Sequence, residues 1–186
     1  MKQSTIRQHF SFAAVFVLMA AAFLPLILGI ASARAVDNER TRQTLRGLKG
    51  VYAVVEDLRL EIEEEGLTRN EIHKTAVETL RSAGIPVLSE EAWQEAPGRP
   101  WLYLYAHVMR REFVEERVYV FNISIELKQK VSLTRAPEEE AVFATTWSRA
   151  LLGKSGYLED IRKGVQICLD DFIDAYGSMN PLDAGR

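Results

Sequence analysis

The sequence predicts an α+β fold of two layers, in which a mixed, mostly antiparallel sheet carries two helices on one face. Three patterns predict it. Residues 118–133 alternate: Tyr119, Phe121, Ile123, Ile125, Leu127, Val131 and Leu133 fall on one face, and Asn122, Ser124, Glu126, Lys128 and Lys130 on the other. Such alternation belongs to a sheet covered on one side and wet on the other. Residues 157–176 repeat Leu158, Ile161, Val165, Cys168, Leu169, Phe172 and Tyr176 at three- and four-residue steps, the stripe of a helix that must dock on a core. Between 51 and 88, two short apolar runs flank a capped helix, a strand-helix-strand unit whose crossover places its helix over the sheet.

The chain opens with Lys2 and Arg7, an apolar run from Phe12 to Ala31, and then Ala33-Arg34-Ala35, the small-residue pattern that a leader peptidase accepts. Residues 1–35 therefore read as a signal peptide, with the mature chain starting at Val36. About twenty apolar residues also suffice to span a bilayer, so an uncleaved inner-membrane anchor over residues 12–31 is the alternative. Pro25 and Gly29 weaken the helix ahead of the cleavage pattern and favour removal. The address is then the periplasm or the exterior.

About 150 residues remain, the size of one domain. Residues 36–50 are polar, closed by Gly47 and Gly50, and read as a flexible or weakly helical lead-in. The domain is expected over residues 51–180, with 181–186 as a tail. Val51 to Val55 is β-branched and apolar, suited to a central strand. Asp57 to Gly66 reads as an acidic loop. Thr68-Arg69-Asn70-Glu71 has capping-box spacing, with Leu67 placed to staple onto Ile72; Ile72, Ala76, Val77, Leu80 and Ala83 form the apolar face, and Gly84 before Ile85-Pro86 ends the helix. Pro86-Val87-Leu88 is expected as a short strand, and Ser89 opens a turn of helix carrying Trp93. After Pro97-Gly98-Arg99-Pro100, residues 101–109 form a strand with Trp101, Tyr103, Tyr105, His107 and Met109 on one face and Leu102, Leu104, Ala106 and Val108 on the other. The length of the 118–133 strand calls for a bend or bulge. Ala141 to Leu152 follows as a Thr-rich, aromatic strand, and the 157–176 helix closes the domain, with Gly164 its one weak point. The order is β-α-β-β-β-β with a C-terminal helix, a sheet of about five strands.

Composition narrows function by exclusion. The chain has 23 basic and 26 acidic residues; without Lys2, Arg7 and Arg34 the mature part has 20 against 26, a net charge of −6. That balance does not suit nucleic acid, because the one basic pair, Arg110-Arg111, is followed at once by Glu112, Glu115 and Glu116. Cys168, the lone cysteine, can make no internal disulfide and lies on the helical stripe as a small hydrophobe. Gly153-Lys154-Ser155 lacks the glycine five residues earlier that a phosphate loop needs, since Ser148 stands there, and reads as a turn. His73 and His107 lie on different elements, which argues against a shared metal. Trp147-Ser148-Arg149 lacks the glycines of a nucleophile elbow. The glutamates at 61–65 and 138–140 lack the glycine and alternating ligands of a calcium loop. No cofactor and no enzyme activity is expected.

The aromatic row Trp101, Tyr103, Tyr105 is the one candidate surface. If Leu102 and Leu104 face the helices, these rings stand on the open face, where they could hold a partner protein, a small ligand or a glycan. The alternative sets them beside Tyr119, Phe121 and Ile123 in the core, a choice that depends on strand register.

Gly47-Leu48-Lys49-Gly50-Val51-Tyr52, Val54-Val55-Glu56-Asp57-Leu58, Gly66-Leu67-Thr68, Ala83-Gly84-Ile85, Pro97-Gly98 and Tyr119-Val120-Phe121-Asn122-Ile123 together resemble an uncharacterised family of small exported bacterial proteins. The resemblance covers nearly the whole mature chain and implies export without an assigned activity. The element order is also similar to the amino-terminal domain of the Tol-Pal protein TolB and related envelope accessory domains. That similarity implies a module that binds another envelope protein, touching the membrane only through an uncleaved N-terminal segment.

Overall fold

The computed structural model describes residues 37–112 and 116–181; the expected signal peptide and residues 182–186 of the expected tail lie outside the described residues. The described chain is mixed α and β. Four strands, β1 (Tyr52–Val55), β2 (Trp101–Glu112), β3 (Arg117–Val131) and β4 (Val142–Ser155), form one sheet in the order β1-β2-β3-β4. β1 runs parallel to β2, and the β2–β3 and β3–β4 pairs are antiparallel.

The strand expected at Pro86-Val87-Leu88 is reduced to a single parallel bridge, Val87 to Val51, so the sheet has four strands and not about five. Pro86 O accepts from Val51 N and Leu88 N donates to Val51 O; proline at 86 has no N–H to carry the pairing further back, and Ser89, which caps the next helix, ends it in front. β1 is accordingly an edge strand and not a central one. Its outer-face residues Tyr52 and Val54 are half-buried, while Val51, Ala53 and Val55 lie in the core.

The two long helices pack on one face of the sheet. α1 (Glu39–Arg42) leads into a 3₁₀ turn (Gln43–Leu45); α2 (Leu60–Glu64), α3 (Arg69–Ser82) and α4 (Glu90–Glu95) lie between β1 and β2; α5 (Leu158–Met179) follows β4. Thr68 Oγ1 accepts from Glu71 N at 3.2 Å, the N-cap that the sequence marks. At the other end Gly84, at φ +75°, reverses the chain so that Gly84 N donates to Arg81 O and Ile85 N to Leu80 O, which buries Leu80 and Ile85 together. α3 packs on β1 and on α5, and α5 on β3 and β4. Its buried side is Ile161, Val165, Cys168, Leu169, Phe172 and Ala175. Gly164, the expected weak point, is a packing site: a Cβ there would lie 2.6 Å from Ile123 Cδ1, so glycine lets α5 approach the sheet. Burial of Cys168 lifts its thiol pKa to about 12, which leaves it an unreactive core atom.

Of the expected lead-in, residues 39–45 are helical, and the stretch is pinned in place from Asp37 onward. Leu45 is fully buried. Asp37 accepts from Arg42 through two nitrogens at 2.6 Å and from the Trp147 indole at 3.0 Å. Asn180, at the end of α5, accepts from Gly47 N and donates to Leu45 O, while Tyr176 donates to Leu48 O. The acidic 57–66 segment likewise contains α2, whose Ile62 is fully buried, and then Glu65, which accepts from Arg110 and Tyr119 at the turn end of the β2–β3 hairpin.

Candidate functional site

Register sets which side chains share a face. Leu102, Leu104 and Val108 are buried beneath the helices, and their pairs Leu127, Ile125 and Phe121 lie on the same side. Trp101, Tyr103, Tyr105 and His107 therefore project from the opposite face, opposite Lys128, Glu126, Ser124 and Asn122. Tyr119, Phe121 and Ile123 line the helix-covered side, so the aromatic row does not join them.

A bulge decides what else reaches the open face. Leu127 pairs with Trp147, but the next residue, Lys128, pairs with Thr145, which leaves Thr146 as an extra residue in β4. One extra residue inverts the side-chain alternation beyond it. Phe143, which by parity with Trp147 belongs under the helices, is turned to the open face, where its ring centroid lies 5.4 Å from that of Trp101.

α4 completes the cluster. Capped by Ser89 Oγ, which accepts from Ala92 N, it lays Trp93 against Tyr52 (5.6 Å), Trp101 (5.7 Å, planes 4° apart) and Phe143 (6.4 Å). Trp101 is thus a half-buried member of a ring stack, not a free platform. Both indole N–H groups, of Trp93 and Trp101, are shielded from solvent without an acceptor among the described residues. Trp93, Phe143 and Tyr52 are the members that the sequence did not reveal. Trp93 sits in a six-residue helix with no periodicity to aim it, and Phe143 depends on the bulge.

Tyr103 is held on three sides. Its hydroxyl donates to Glu56 at 2.5 Å, Lys128 Nζ sits 4.3 Å above its ring, and Trp101 lies alongside. The hydrogen bond to Glu56, aided by burial, raises the phenol to about 12, so it stays a donor at physiological pH. Tyr105 is looser, stacked on His107 at 5.9 Å. Past it the face continues through Met109, Val120 and the 47 % exposed Leu152 to a cleft of about 560 Å³ lined by Arg111, Val118, Val120 and Lys154.

The remaining candidates are structural. Gly153-Lys154-Ser155 ends β4 instead of forming a turn, and a Cβ on Gly153 would lie 2.5 Å from the Phe121 ring, so glycine stands there to seat that ring. His73 is exposed on α3, and His107 on the sheet. Among the described residues, no group of three His, Cys, Asp or Glu could hold a metal ion, and no helix is long and apolar enough to cross a membrane. Ser148 pairs with Glu126 in mid-strand, with no histidine beside it in the register. The arrangement offers stacking, hydrogen-bond donors and apolar area, and no assembled nucleophile or acid-base pair. No family model matches the chain, and no curated protein or solved structure matches it either.

Proposed function

We propose that the chain is an exported, non-enzymatic module, a two-layer sandwich whose outer sheet face is covered by α4 at one end only, and that it acts through protein–protein contacts on the open part of that face. One observation carries the reading. Twelve residues of β2 and the strands beside it present Tyr105, Met109, Val120 and Leu152 to solvent with no element of the described chain laid over them. A sheet face of that length with apolar side chains is a surface awaiting a partner. The supposed partner is another protein of the cell envelope, in keeping with the leader sequence. Arg111 and Lys154, at the end of this face, favour an acidic one.

Trp101 and Tyr103 are poor probes because their rings support α4 and β1. Tyr105, Met109 and Val120 are better. A photocrosslinking residue at 105 or 120 in the native host should trap one protein of defined mass, and the same residue at Lys74 on the outer side of α3 should not. Equal trapping at all three sites, or at none, refutes the reading. A start at Val36, found by mass spectrometry of the host-derived protein, tests export with leader removal.

A second reading, small-ligand or glycan binding, draws on the two unbonded indole N–H groups in the ring stack. A buried donor without an acceptor costs about 1–3 kcal/mol, which a ligand oxygen would recover. A ligand that quenches Trp fluorescence in the parent and not in Trp101→Phe, which retains a ring and lacks the donor, supports it.

A further inference from the structure

We infer that the chain forms a closed homodimer in which the outer edge of β4 pairs antiparallel with β4 of a second copy. The sheet has two edges, and they are treated differently. At β1 the strand is four residues long, the Val51–Val87 bridge stands just before it, and Arg69 Nε donates to Val55 O at its end. At β4 the strand is fourteen residues long, and no backbone group of the described chain outside β3 hydrogen-bonds to its backbone; the one side chain from elsewhere that bonds to that backbone is Thr44, Oγ1 to Thr146 O at 3.4 Å. Ser148–Ser155 is left as a row of backbone donors and acceptors, with no proline, of the kind that proteins otherwise cover.

A strand edge can be filled by any extended chain, and the flanking side chains select a copy of itself. Level with the middle of the Ser148–Ser155 stretch, two large apolar side chains are exposed, one in each layer. Leu152 lies on the open face at 47 % exposure, and Ile167 on α5 at 40 %. Ile167 lies between Asp160, which accepts from Ser155, and Asp171, which accepts from Arg149 at 2.5 Å, so it stands level with the middle of the 149–155 stretch. Residues directly opposite in an antiparallel pair share a face, so a two-fold axis passes through a residue and not between two. With the axis at Leu151, Leu152 meets Ala150 of the second copy, Lys154 meets Ser148, and no like charges oppose. The same axis sets the two α5 helices antiparallel with Ile167 facing Ile167. It brings Lys163, four residues before that point, toward Asp170 and Asp171, three and four residues after it, in both directions at once. Because a two-fold contact uses up the same β4 edge on both copies, the assembly closes at two copies and does not grow through that edge into a fibre. The two open faces then join across eight strands.

Sedimentation velocity on the full chain in mild detergent tests this. A dimer is expected, and Leu152→Lys and Ile167→Lys, both at exposed sites, should each raise its dissociation constant at least about tenfold. Lys163→Asp should weaken it too, and Asp170→Lys added to Lys163→Asp should restore it. A monomer throughout the micromolar range overturns the inference. So does a dimer that keeps its affinity with both lysine substitutions, since it then associates through another surface.

Discussion

Glu65 fastens α2 to the turn end of the β2–β3 hairpin by accepting from Tyr119 and Arg110, with Arg117 3.9 Å away. Those bonds, the tyrosine's first, hold its carboxyl below the ordinary range. Because the folded value lies below the unfolded one near 4.3, the stabilisation is complete above that pH and is withdrawn as the pH falls through the lowered value. Tyr119 moves the other way. Burial and the Glu65 carboxylate raise its phenol, so its contribution is present below about pH 10 and lost above its raised value. Glu65→Gln is expected to cost about 1–3 kcal/mol at neutral pH and to flatten the fall in stability below pH 4.5. Chemical denaturation at pH 7 and pH 3.5 reads both, and an unchanged slope with pH refutes the assignment. Residues 57–66 read as an acidic loop because Ile62 is their single buried apolar residue amid glutamates, and the partners of Glu65 lie more than forty residues away.

At the scale of elements, legibility follows the range of the forces. The alternation of β3, the stripe of α5 and the two ends of α3 depend on neighbours within a few residues, and the structure shows all three. The facing of the aromatic row depends on register, which its own strand does not encode, and the placement of Phe143 depends on Thr146. The sequence argues for an irregularity in the long strand, and the structure puts it across the ladder in β4. Phe143→Ala is expected to empty the place beside Trp93 and Trp101 that the bulge assigns to this ring. The loss should be about 1–3 kcal/mol for the two ring pairs, with Trp emission shifted toward that of solvated indole. Unshifted emission with full stability would show that the Phe143 ring does not pack on the indoles.

Across the whole molecule, stability is uneven. The centre is Trp147 packed edge-on against Phe172 at 5.3 Å, flanked by Leu127, Ile125 and Leu169, all fully buried. The N-terminal segment is anchored to this centre by Leu45, whose burial was not legible because the residues that clamp it, Tyr176 and Asn180, lie at the far end of the chain. Leu45→Ala should cost about 2–5 kcal/mol, as for a core leucine, and only a few tenths if the segment were a loose lead-in. Thermal unfolding measures which. α4 stands at the other extreme, with no buried residue and only Trp93 inserted among other rings. Its amides should therefore exchange with deuterium well before those of β3, and equal protection would mean that α4 is part of the central unit.

The bond between Asp37 and the Trp147 indole joins the second residue after the leader pattern to the middle of the last strand. If the chain is exported and cut after Ala35, as proposed, the protease needs several extended residues in its cleft, and a docked Asp37 denies it those on one side. Under that proposal processing and closure of the domain compete in time: a copy cut while Trp147 is still unpacked is released, and a copy that closes first keeps its greasy end.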